Sequence, residues 1–151
     1  MARASQRLEI QNPDKVLYPA MRFTKQQVVE YYVGVSRALL PHFKNRPVTL
    51  KRFPDGVRGE FFYEKDAPSF TPRWVKTVPV PRREGGPSIN YILINDAKTL
   101  AWCASIAALE LHPFLHRAPK IEQPTSVVFD LDPGEGADIL DCCDIALLLR
   151  R

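Results

Sequence analysis

Two aspartates one residue apart, Asp130 and Asp132, close the run Val127-Val128-Phe129-Asp130-Leu131-Asp132-Pro133-Gly134. A β-branched and aromatic run that ends at a Pro-Gly turn reads as a buried strand leading to a site. Side chains alternate along a strand, so both carboxylates point to one face. Like charges held there repel each other. A divalent cation relieves the repulsion, and hard oxygen ligands suit Mg²⁺, Mn²⁺ or Ca²⁺. On spacing alone, a strand running into an acidic surface turn is an equal alternative, because motifs this short recur by chance.

A second group of residues suits phosphate and bases. Lys15 precedes a predicted helix and Lys25 lies in its first turn. A lysine there opposes the helix dipole, whereas a bound anion would make use of both the lysine and the free N–H groups. Two solvated lysines are the commoner case. Phe61 and Phe62 are adjacent, so on a strand they face opposite sides, one for the core and one exposed. An exposed ring near Lys51, Arg52 and Lys65 would make a base-stacking platform, and burial of both rings between layers is an equal alternative. Arg82 and Arg83 sit in the basic loop Pro81-Arg82-Arg83-Glu84-Gly85-Gly86-Pro87, suited to touching a backbone phosphate.

These residues need elements to hold them. Leu8-Glu9-Ile10 alternates like a short strand, and residues 11–15 are turn material. Thr24 and Gln27 have capping-box spacing, with Val28, Tyr31, Val35 and Leu39 following at helical intervals. That helix should stop before Pro41. Strands are predicted over 47–53, 60–65, 74–80 and 88–94, the first pair joined by the turn Pro54-Asp55-Gly56. Asp96 is a plausible N-cap for a small-residue helix over 97–111, which would place His112 at its C-terminal end as a dipole partner. A last apolar helix covers 139–149.

The whole is one domain of 151 residues, long enough for a real core. No apolar run is long enough to span a bilayer, and residues 1–7 lack a signal-peptide core. Cys103, Cys142 and Cys143 are odd in number and lack zinc spacing, which reads as reduced thiols in the cytoplasm. Residues 1–120 hold 19 of the 21 Lys and Arg and 10 of the 17 acids, a balance of +9; residues 121–151 balance at −5. A basic body with an acidic, metal-suited end fits a nucleic-acid enzyme, although ordinary solvated charge gives the same count.

Five stretches then fall in order: Asn12-Pro13-Asp14-Lys15-Val16-Leu17-Tyr18-Pro19, Tyr31-Tyr32, Arg46-Pro47-Val48-Thr49-Leu50-Lys51-Arg52-Phe53-Pro54-Asp55-Gly56, Leu109-Glu110-Leu111-His112-Pro113 and Val128-Phe129-Asp130-Leu131-Asp132-Pro133-Gly134. Together they resemble the polymerase domain of bacterial DNA ligase D, of the archaeo-eukaryotic primase superfamily, over nearly the whole chain. The resemblance implies an α/β (α+β) fold, with a mixed, largely antiparallel sheet flanked by helices. It also implies addition of nucleoside triphosphates to DNA 3′ ends in non-homologous end joining. By position, Asp130 and Asp132 would hold Mn²⁺ or Mg²⁺ in a two-metal site, and His112 would be the active-site histidine. Asn12, Lys15 and Lys25 would bind the 5′-phosphate at a DNA gap, and Phe61 and Phe62 would touch the template. Ku and the ligase portion of ligase D would be the protein partners, and the setting would be the nucleoid.

The family's Ser-x-His triphosphate motif and third catalytic aspartate lie downstream of the acid pair, and here 19 residues follow Asp132. The stretch therefore matches the N-terminal half of such a domain and is expected to be inactive alone. Haloacid-dehalogenase-type phosphatases share the Val-Val-Phe-Asp-Leu-Asp start, but they continue with Gly-Thr, not Pro133-Gly134. A calcium loop counted from Asp130 needs glycine where Glu135 stands. The remaining alternative is a non-catalytic module that binds 5′-phosphorylated DNA ends.

Overall fold

The expected capping box forms. Thr24 Oγ1 accepts from the Gln27 amide and Gln27 returns a bond to the Thr24 amide, opening helix α1 (Lys25–Phe43). A computed structural model describes residues 8–150. Residues 1–7, read above for a signal peptide, and Arg151 lie outside the described residues. α1 continues one turn past the expected stop and carries Pro41 inside it. Proline there removes one backbone bond, and Phe43, buried in the core just beyond, holds the last turn in place.

Ahead of α1, β1 (Val16–Tyr18) pairs with the two-residue β2 (Phe23–Thr24). Residues 8–10 form no strand, although Leu8 and Ile10 pack against the core. After α1, β3 (Pro47–Arg52) is the centre of a five-stranded sheet. Its first half pairs with β6 (Ile89–Leu93), and β6 pairs in turn with β5 (Lys76–Val80). Its second half pairs with β4 (Phe62–Glu64), and its opposite edge with β7 (Ala108–Pro113). Every pairing among the described residues is antiparallel, in keeping with the expected α+β architecture.

Asp96 caps α2 (Ala97–Ser105) by accepting from the Thr99 amide at 2.7 Å. The helix does not reach residue 111. It ends where Ala107 takes a left-handed φ of +59° and turns the chain back, and the alternating Ala-Leu-Glu-Leu-His-Pro then becomes β7. An alanine in that region costs about 1–2 kcal/mol. Here it closes two backbone bonds, Ala107 N–H to Ala104 and Phe53 N–H to the Ala107 carbonyl. His112 is therefore a strand residue opposite Thr49 and not a helix cap.

The core lies between one face of this sheet and the two helices. Val48 and Leu50 of β3 meet Val28, Val29 and Tyr32 of α1 and Leu100, Cys103 and Ala104 of α2. Cys103 is fully buried, which pushes its thiol pKa well up and makes it inert packing. By alternation, Thr49 and Lys51 point to the other, uncovered face. Gly56, in the turn after β3, brings the backbone close against β1. It sits at φ +81°, and a Cβ there would lie 2.8 Å from the Leu17 carbonyl. No described helix is long and apolar enough to cross a membrane.

The sheet does not extend to Val127-Val128-Phe129. That segment is coil, with Val127 72% and Val128 68% exposed, contrary to the buried strand expected from its composition. The chain does start back alongside β7: His116 and Pro124 form an antiparallel bridge and the Thr125 amide donates to Leu115. Arg46 clamps the return, donating to the Phe114 carbonyl and to the hydroxyls of Thr125 and Ser126. Past Ser126 no ladder bond follows among the described residues, and a strand without a neighbour has no partners for its backbone groups. Asp138 caps the expected helix α3 (Ile139–Leu149), and none of its residues is buried.

Candidate nucleic-acid interface and acid pair

Asn12, Lys15 and Lys25 converge at the start of α1. Asn12 takes a left-handed φ of +50°, and its carbonyl receives the Lys15 amide. The loop is stitched to the helix by Lys25 N–H to the Lys15 carbonyl (2.8 Å) and Gln26 N–H to the Pro13 carbonyl (2.9 Å). Together with the Gln27 bond to Thr24, these occupy the first-turn amides. The helix therefore offers no free N–H groups to an anion, contrary to the sequence reading, and any phosphate must be held by side chains. Lys15 reaches Asp55 at 2.6 Å, tying the loop to the Pro54-Asp55-Gly56 turn. Lys25 is 9% exposed and donates to the Gln11 carbonyl at 2.9 Å. Burial lowers its pKa, and the nearby positive charges of Lys15 and Arg52 lower it further.

On the uncovered sheet face, Lys51 sits 4.3 Å above the Phe61 ring and bonds Glu110 at 2.8 Å. Glu110 also lies 3.3 Å from His112 Nε2, and the His112 ring packs 5.9 Å from Tyr63. The hydrogen bond from Lys51 is the main cause holding the Glu110 carboxyl below its usual range, and it raises Lys51 in turn. Arg52 points the other way. It pairs with Glu64 at 2.8 Å and lies 5.2 Å from the Phe62 ring. The two phenylalanines thus do face opposite sides, but neither is core: Phe61 is 51% and Phe62 43% exposed. β4 lies beyond the reach of the helices, so Phe62 covers Arg52 instead of filling the interior. Lys51 and Arg52, on opposite faces, are both engaged with carboxylates, and each packs against an aromatic ring. Arg82 donates to the Pro87 carbonyl within its own loop, at the far end of the sheet.

Asp130 and Asp132 lie on the exposed coil after Phe129, not at a strand end facing a basic groove. Both line a cleft of about 240 Å³ with Asp141 and Ile145. Asp141 is already used, its carboxylate accepting from the Asp138 amide at 2.8 Å. The groove beside His112 is a different one, lined by Arg46, Ser126 and Val128. The structure therefore brings Val128 to His112 but leaves the two acids apart from it. Among the described residues no three His, Cys, Asp or Glu side chains form a metal-holding group.

With this geometry, residues 24–151 match the family model for the LigD primase-polymerase domain. The chain belongs to that family. A multifunctional non-homologous end joining protein LigD from Mycolicibacterium smegmatis is 42% identical over 147 residues, covering 96% of this chain and 19% of the relative. The bifunctional LigD protein of Bacillus subtilis is 35% identical, covering 96% of this chain and 23% of the relative. The solved polymerase domain of Mycobacterium tuberculosis ligase D in complex with DNA superposes with a TM-score of 0.80 at 37% identity, covering 95% of this chain and 52% of that one. The chain thus spans about a fifth of the curated LigD relatives and about half of the solved domain.

Tyr63 and Glu110 stand beside Lys51 and His112 on this face, and the sequence reading named neither as a candidate site residue. Each has a period-two signal: Phe61 with Tyr63, and Glu110 with His112, alternate on one strand face. Reading 97–111 as a single helix hid the second pair. For the metal expected of a LigD-type domain, the donor set is chemically suitable. Two carboxylates, with waters and substrate phosphates, are a common way to hold Mg²⁺.

Proposed function

We propose that this chain forms the DNA-end-recognising part of a LigD-type nucleotidyltransferase, which adds nucleotides to DNA 3′ ends in non-homologous end joining. The observation that carries this reading is Lys25. Its side chain is largely covered and its ammonium part-buried, and among the described residues it has one carbonyl partner and no carboxylate. A buried charge without a counter-charge is costly, and a cation kept in that state beside Lys15 and Asn12 suits an incoming anion. A terminal 5′-phosphate supplies two negative charges and several acceptor oxygens. With the helix amides occupied, the three side chains would do the binding.

The exposed rings of Phe61 and Phe62 offer stacking faces for template bases near that phosphate. His112, close to Glu110, can donate from Nε2 to the carboxylate while its other nitrogen faces substrate. Asp130 and Asp132 would hold Mn²⁺ or Mg²⁺, which supplies charge neutralisation for a nucleoside triphosphate and a more acidic 3′-hydroxyl. The acids reach His112 if residues 127–132 continue the pairing that begins at His116 and Pro124. That register sets Val128 opposite His112 and Asp130 opposite Glu110, on the same face. The triphosphate-binding residues and third acid would come from the portion of the LigD domain that the match does not cover. Ku and the ligase portion of LigD proteins would be the partners, in the bacterial nucleoid.

The separation of the acids from His112 favours a second reading, a module that binds 5′-phosphorylated ends without chemistry. Two assays on the same gapped duplex decide. The proposal expects tighter binding with a 5′-phosphate than with a 5′-hydroxyl, weakening with salt as counterions are released. It also expects metal-dependent incorporation once the remaining half of a LigD polymerase domain is supplied in trans. Phosphate-dependent binding with no incorporation under any supply leaves the binding module. Equal affinity for both ends overturns the proposal.

A further inference from the structure

We propose that Arg46 is a positioning residue for the acid pair. Its guanidinium fork fixes the register in which the arm lies along β7, and that register puts both carboxylates on the face of His112. The proposal rests on the reading of Asp130 and Asp132 above. Arg46 is 8% exposed and has no carboxylate partner among the described residues. A guanidinium held out of water without a counter-charge is costly. Its fork instead spans two segments. One nitrogen donates to the Phe114 carbonyl at 2.9 Å, and the other donates to Thr125 Oγ1 at 2.8 Å and Ser126 Oγ at 3.0 Å. The base of this clamp is itself tied down: the Ala118 amide donates to the Asn45 carbonyl at 2.8 Å, and Asn45 exchanges bonds with Asn95.

These bonds specify a register. The His116–Pro124 bridge, and the Thr125 amide on the Leu115 carbonyl, set Phe114 opposite Ser126. Thr125-Ser126 is flanked by Pro124 and Val127, neither of which carries a side-chain acceptor. Sliding the arm by one residue in either direction therefore costs the fork one of its two hydroxyls. That loss matters, because a one-residue slip turns every side chain of a strand to the other face. Asp130 and Asp132 would then point toward the helices, and Leu131 toward the side of His112. In the clamped register Val128 falls opposite His112 and Asp130 opposite Glu110. The edge of β7 is arranged to receive that pairing. The Phe114 amide bonds the Pro47 carbonyl ahead of β3, so by alternation Leu111 turns its backbone groups outward, opposite Phe129. Tyr32 Oη donates to the Leu109 carbonyl at 3.1 Å, which closes the edge just beyond, where Pro133-Gly134 can turn the chain away.

The test uses the whole chain with Cys142→Ser and Cys143→Ser, both on the exposed helix α3, and keeps the buried Cys103. Leu111→Cys with Phe129→Cys, opposed in the clamped register at about 5.5 Å, should cross-link under mild oxidation. Leu111→Cys with Val128→Cys reports a slipped register and should not. Arg46→Lys keeps the charge and loses the fork. Thr125→Val with Ser126→Ala removes the acceptors at two exposed positions, and decides the matter if Arg46→Lys fails to fold. Either change should cut the cross-link between positions 111 and 129 about tenfold, the weight of one hydrogen bond to a charged group. Without the cysteine pair, Mn²⁺ alone should broaden the His112 ring resonances before those of His116, and both clamp variants should lose that selectivity. A cross-link yield unchanged in the clamp variants, or equal yields for positions 128 and 129, overturns the proposal. If cross-linking depends on the clamp but Mn²⁺ does not single out His112, the metal reading of the acid pair fails and the register set by Arg46 stands.

Discussion

The body of residues 8–126 and the arm that follows it are built from similar sequence but reach opposite ends. Val48 and Leu50 in β3 are buried, whereas Val127 and Val128 in the arm are exposed. The difference is not hydrophobicity. β3 has neighbours on both edges, and local signals fix each of them: a capping box before it, a Pro-Asp-Gly turn after it, and a left-handed Ala107 that sends β7 back. The arm has a clamp at Arg46 and then, among the described residues, no neighbouring strand to pair with. The residues proposed to recognise phosphate and bases therefore sit on a finished surface, while the acids proposed to hold metal sit on a segment that still needs an edge to pair with. In a family whose solved domain is about twice this span, such a division is physically sensible.

The largest effect that should separate the two regions is on stability. Leu50→Ala, at a fully buried position, should cost about 2–5 kcal/mol in chemical denaturation. Leu148→Ala in α3, 58% exposed, should stay within about 0.5 kcal/mol. A similar loss at both would mean that α3 is packed in solution and that the comparison is wrong. Next comes Gly56→Ala, which should cost more than about 1 kcal/mol, since it adds both left-handed strain and a contact with the Leu17 carbonyl. Because that turn also carries Asp55, the partner of Lys15, the same variant should weaken 5′-phosphate binding.

A smaller effect sharpens the account of the sheet face. The Glu110 carboxyl titrates below its unfolded value because Lys51 bonds it. The stability from this pair is therefore present at neutral pH and is lost as pH falls through the depressed folded pKa. Lys51→Met should remove that part of the acid dependence, read as a smaller difference between stability at neutral and acid pH. An unchanged pH profile would show that the pair is absent in solution.

Much of the body was legible because its signals are local. Thr24 with Gln27 and Asp96 each announced a helix start, and Pro54-Asp55-Gly56 announced its turn. The end of α2 was not legible, since Ala104, Ala107 and Ala108 suit a helix as well as they suit a reversal. Only the alternation of Leu109 and Leu111 against Glu110 and His112 argued for a strand. The arm misled for a different reason: Val-Val-Phe states a preference for a strand but carries no information about whether an edge is available. At the site, Lys15 and Lys25 could be placed from spacing. Glu110 and Tyr63 became visible only once β4 and β7 flanked β3.

Lys25 tests the central claim most directly, because it ties a structural cost to a function. A part-buried ammonium with a lowered pKa and, among the described residues, no carboxylate partner should weaken the free protein at neutral pH, the loss easing as pH rises through that pKa. Lys25→Met should therefore raise the melting temperature slightly. The decisive measurement is the ratio of dissociation constants for a gapped duplex with a 5′-hydroxyl and with a 5′-phosphate, in both proteins. The account predicts a ratio of about ten in the wild type, some 1.4 kcal/mol, collapsing to one in Lys25→Met. A ratio of one in the wild type, or an unchanged ratio in the variant, would contradict it.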